Sequence, residues 1–154
     1  MMIVRTCAAV GVLLLGAASV ASATLGGDAS SVDADRVRLL GALRGITRTN
    51  DVAVHEMQSA AGTVLREYVT STGTVFGVAW QGPWMPDLRQ ILGTYFEPYQ
   101  AAVGATRKAR GRRGPIVIDT PDLVMRVSGH QRAFSGTAYI PKLLPQGMRP
   151  ESIR

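Results

Sequence analysis

Cysteine and histidine are nearly absent from this chain. Cys7 is the only cysteine in 154 residues, and His55 and His130 are the only histidines. A single thiol cannot close an intramolecular disulfide or build a cysteine-rich zinc site. His55-Glu56 opens like the zinc motif H-E-x-x-H, but Ser59 stands where the second histidine belongs. The motif also needs a helix to bring both histidines to one face, and the local alternation here is that of a strand. His130 falls in a predicted hairpin turn. No metal site is expected.

Other chemistries are missing too. The chain has no G-x-S-x-G, and Ser135 lies in a strand pattern without the strand-to-helix elbow that exposes a nucleophile. Asp119-Thr120-Pro121 departs from the D-[TS]-G of aspartic proteases at its third residue, and no second copy occurs. Asp122, just after Pro121, suits a turn. No glycine-rich phosphate cradle is present, so no cofactor is expected. These absences favour a non-enzymatic protein. A hydrolase or carbohydrate-active enzyme is the alternative, and it requires His55, His130, Asp119 or Asp122 to meet in one cleft near Trp84.

No apolar run reaches the roughly 20 residues that a membrane-spanning helix needs. The longest runs from about Cys7 to Ala18. It follows the lone charge Arg5 and precedes Ala21-Ser22-Ala23. This is the three-part layout of a secretory signal peptide, with cleavage expected after Ala23. Residues 1–23 then leave, taking Cys7 with them, and 131 residues remain. That length fits one domain. A flexible leader is expected over residues 24–30 and a single domain over 31–154. The protein is expected in the periplasm or the medium, without a transmembrane span after cleavage.

Charge is concentrated. The chain has 17 Lys and Arg against 11 Asp and Glu. Arg5 leaves with the signal, and the stretch RKARGRR holds five more cations and no acid: Arg107, Lys108, Arg110, Arg112 and Arg113. The rest of the mature chain is balanced, so this one segment carries the whole excess. Such a loop can hold an anionic polymer or lipid surface, or an acidic envelope partner, by displacing counterions. It can also be a solvated helix end, whose dipole favours cations. No aromatic residue interleaves the arginines, which argues against base stacking. An exported protein does not meet cytoplasmic nucleic acid.

Periodicity predicts an α+β domain. A helix is expected over Ser31–Arg44, its apolar stripe running through Val32, Leu39 and Leu43 to Ile46. Strands are expected over Val52–Ser59, Thr63–Ser71 and Thr74–Gln81, joined by tight turns at Ala61-Gly62 and Thr72-Gly73. Alternation places Phe76, Val78 and Trp80 on one face of the third. Pro86 opens a long central helix, with Leu88, Ile91, Leu92, Tyr95, Phe96, Tyr99 and Val103 on one stripe. Pro98 should kink or break it near Glu97. Three more strands follow the basic loop in PIVIDT, DLVMRV and RAFSGTAYI, and the tail reads as irregular. The fold expected is a mostly antiparallel sheet of about six strands, as two three-stranded meanders, with both helices on one face.

Between the third strand and the central helix lies WQGPWMPDL. Trp80 should be core if its face meets the helix. Trp84 and Met85 can staple the first helical turn, or Trp84, with Trp80, can form an aromatic platform for a ligand or partner. The blocks VFGVAWQGPWMPDLRQILGTYF, GTVLREYV and GHQRAFSGTAYIPKLLPQGM resemble, in order, those of the exported proteobacterial family termed domain of unknown function 2844. The resemblance covers Leu25 to Arg154. It implies a single exported domain and transfers no activity, cofactor or catalytic residue.

Overall fold

The structure is a computed structural model and describes residues 24–28, 42–49, 51–111 and 114–154. Among the described residues, seven strands form one antiparallel sheet: β1 Ala42–Arg48, β2 Val52–Gln58, β3 Val64–Thr70, β4 Val75–Gly82, β5 Ile116–Asp119, β6 Val124–His130 and β7 Ala133–Tyr139. Their order is β1-β2-β3-β4-β7-β6-β5. The sheet is therefore a four-stranded meander joined through β4–β7 to a three-stranded one. The sheet has more strands than the six expected; β1 is one that the expectation lacked. The predicted helix over 31–44 lies mainly outside the described residues, but its end is overturned, because Ala42–Arg48 pairs with β2 as an edge strand. Leu43 and Ile46 continue a helical stripe in sequence, yet they stand 38 % and 39 % exposed at that edge.

Two hydrophobic layers sandwich the sheet. On one face, Met57, Leu65, Val78, Trp80, Met125, Val127 and Ala138 meet Leu88, Ile91 and Leu92. On the other, Tyr68, Phe76 and Ala79 are covered by Ile153 from the tail. Phe76 does not share the face of Val78 and Trp80. A register shift opposite Tyr68/Val69 inserts it as a bulge, and its ring packs edge-on against Tyr68 at 6.2 Å. The tail makes two short 3-10 turns, Pro141–Leu143 and Pro150–Ser152.

The helical segment departs from expectation at its start, and the break expected near Glu97 falls a few residues earlier. Its first helix, α1, is Leu88–Leu92, and Asp87 rather than Pro86 starts it: the Asp87 carboxylate accepts from the N–H groups of Arg89 and Gln90. Gly93, at φ 52°, ends it, and a 3-10 turn over Gly93–Tyr95 leads into α2, Phe96–Arg110. The break thus precedes Glu97. Pro98 sits in the first turn of α2, where an N–H has no helical acceptor to lose. Thr24–Asp28 are not a flexible leader. Leu25 is 2 % exposed, its N–H donates to Ile91 O, Gly26 N–H donates to Val75 O, and Asp28 bridges Thr74.

Candidate functional site

The corner between β4 and α1 is held by one hydroxyl. Thr63, 4 % exposed, donates through Oγ1 to Trp84 O at 2.7 Å and accepts from Trp84 N at 3.3 Å. Gly82 lies against it so closely that a Cβ there would come within 2.5 Å of Thr63 Cα. The clamp fixes the backbone of Trp84 while its side chain stays 61 % exposed. Trp84 therefore does not staple α1. Trp80 is the opposite case. At 2 % exposure it is core, which removes it from any surface platform.

The cationic segment begins inside a helix. Arg107 and Lys108 occupy the exposed last turn of α2, and Arg110 ends that helix. Gly111 closes it, donating to Arg107 O at 3.0 Å. Arg112 and Arg113 lie outside the described residues. The predicted loop is thus, over Arg107–Arg110, a helix C-terminus, where backbone carbonyls favour positive charge.

The corner and the helix end share a groove of about 260 Å³. Tyr99, Val103 and Arg107 recur every four residues along α2 and form one wall. Ile116 and Val127, cross-strand partners on β5 and β6, form the floor, and Met85 and Phe134 also line it. The gap has a local cause. Thr106, which lines the groove, stands where the stripe on α2 needs a large apolar residue. Gly111 and Gly114 at the groove, both at positive φ, have open space where a Cβ would be. Among the described residues lining it, Arg107 alone carries a formal charge. Burial pushes the Tyr99 phenol above its ordinary value, while the Arg107 guanidinium pulls it the other way.

The residues required for a hydrolytic site do not gather. His55 lies on β2 and His130 at the end of β6, four strands apart in the sheet order. At about 4.8 Å per strand that is roughly 19 Å. His130 is exposed beside Gln131 O, at the far end of β6 from the Asp119–Val124 pairing. Asp122 pairs with Lys142 at 2.7 Å on the surface. His55 does have an acidic neighbour that sequence reading missed: Glu67, its cross-strand partner, with 0 % exposure. Among the described residues, no group of three His, Cys, Asp or Glu could hold a metal ion. No helix among them is long and apolar enough to cross a membrane.

The fold and groove define a small α+β domain on one antiparallel sheet, with a cationic helix end beside an apolar cleft. Residues 21–153 match the family described as protein of unknown function (DUF2844), and the chain belongs to that family. No curated protein and no solved structure matches the chain.

Proposed function

We propose that the protein is exported, cleaved after Ala23, and acts in the periplasm or cell envelope as a non-catalytic binding domain. It docks on an anionic surface through Arg107, Lys108, Arg110, Arg112 and Arg113. The carrying observation is the position of the charge. The mature chain's whole excess lies in RKARGRR, and its first turn is solvent-exposed at the end of α2, beside the groove that Met85 also lines. Export is supported by the apolar run with its A-x-A site. It is supported also by burial of Leu25, since a cut after Ala23 leaves an N-terminus anchored within two residues.

The test is vesicle sedimentation with phosphatidylglycerol-containing membranes at increasing salt. Each cation near such a surface is worth about 1 kcal/mol. Replacing Arg110, Arg112 and Arg113 together by Ser should therefore weaken binding by about 100-fold at low salt and flatten its salt dependence. Binding unchanged in the triple variant excludes the segment as the contact.

A further inference from the structure

We infer that the groove between α2 and the β5–β6–β7 end of the sheet seats a single apolar chain of an anionic amphiphile, with Arg107 on the charged head. This rests on the anionic-surface reading and names the ligand of that site. The lining supplies both halves of the chemistry. Met85, Val103, Ile116, Val127 and Phe134 offer an apolar trough, and Arg107 offers one guanidinium, with no carboxylate among the described residues that line the groove. A guanidinium binds carboxylate or phosphate in a planar fork, which suits the head of such a molecule.

Size narrows the choice. Drug-sized ligands fill roughly 300–1,000 Å³, so about 260 Å³ takes one short chain rather than a two-chain lipid body. A protein partner is a poor fit, because a stable interface buries about 800 Å² on each side. Trp84 stands 61 % exposed directly before Met85. An indole there suits a boundary where one end is apolar and the other wet.

Calorimetric titration of the purified protein tests this, with decyl phosphate below its micellar concentration, decanol and inorganic phosphate as probes. Decyl phosphate should bind saturably at one site, at least about ten-fold more tightly than inorganic phosphate. Thr106→Phe, which fills the gap, should weaken decyl phosphate by about ten-fold or more. Arg107→Gln should weaken it by several-fold and leave decanol unchanged. The Arg110/Arg112/Arg113→Ser protein separates the two readings. Loss of vesicle binding with decyl phosphate retained supports both. Vesicle binding unchanged with decyl phosphate still sensitive to Thr106→Phe sinks the surface reading and keeps the groove. Wild-type affinity in a folded Thr106→Phe protein, or inorganic phosphate binding as tightly as decyl phosphate, overturns the inference. Should Thr106→Phe fail to fold, methyl NMR shifts of the wild type decide: perturbation centred on Val103, Ile116 and Val127 supports the groove, and its absence there overturns it.

Discussion

At the scale of single residues, two glycines separate packing from propensity. Gly136 faces Trp80 across the β4–β7 pair, and a Cβ on it would come within 2.2 Å of Trp80 Cζ2. The indole cannot retreat, because it is itself 2 % exposed and packed in the main core. Overpacking of this kind costs about 1–3 kcal/mol. Gly104, within α2, has nothing within 4 Å of such a Cβ. There alanine only removes the entropic penalty of a helical glycine, roughly 0.5–1 kcal/mol. Urea unfolding should therefore show Gly136→Ala destabilised by at least 1 kcal/mol and Gly104→Ala stabilised by about half that or more. Equal effects at the two positions would refute the account of Gly136 as a seat for the indole. The Trp80 N–H has no hydrogen-bond partner among the described residues, so the indole contributes through its volume.

At the scale of elements, local signals suffice where they are complete. The β2–β3 and β3–β4 hairpins carry turn glycines between alternating runs, and Gly62 and Gly73 both adopt φ 87°. The misses share a cause: each depends on contacts distant in the chain. β1 was hidden because Leu43 and Ile46 extend a helical stripe, and only pairing with β2 makes that stretch a strand. The bulge at Phe76 follows from register with Tyr68 and Val69. The candidate site was half legible. Trp84 and Arg107 each stand out in the sequence, but no local pattern shows that the two segments meet around Ile116 and Val127. The gap at Thr106 could have been noticed as a polar residue breaking the α2 stripe. Leu25 was the least legible, since a leader composition surrounds it. Its burial predicts that Leu25→Ala costs about 2–5 kcal/mol in denaturant unfolding. A loss under 0.5 kcal/mol, the range of an exposed position, would show that Thr24–Asp28 contribute no anchor.

At the scale of the whole molecule, one sheet must bury both its faces, and it uses different means on each. The helical segment and Leu25 cover one face through many contacts. The other depends on a tail with little regular structure, pinned at a few points. Tyr68 Oη donates to Arg154 O at 3.0 Å and accepts from Arg154 N at 3.0 Å, and Arg66, itself paired with Glu56 at 2.8 Å, also reaches Arg154 O. Between these pins Ile153, 4 % exposed, fills the space above Gly77, whose Cβ would lie 3.1 Å from Ile153 Cδ1. Gly77 is small so that Ile153 can enter. Removing three carbons from Ile153 leaves a cavity against Tyr68 and Phe76, and leaves the tail to its few hydrogen bonds and the partly buried Leu143, Leu144 and Met148. Ile153→Ala should therefore cost about 2–4 kcal/mol. It should also make Arg154 and Ser152 amides exchange with solvent faster than the β3 amides, because the tail opens before the sheet does. Gly77→Ala should loosen the same segment by crowding it from below. If either variant leaves tail exchange at the wild-type rate, the second layer is held by something other than this plug.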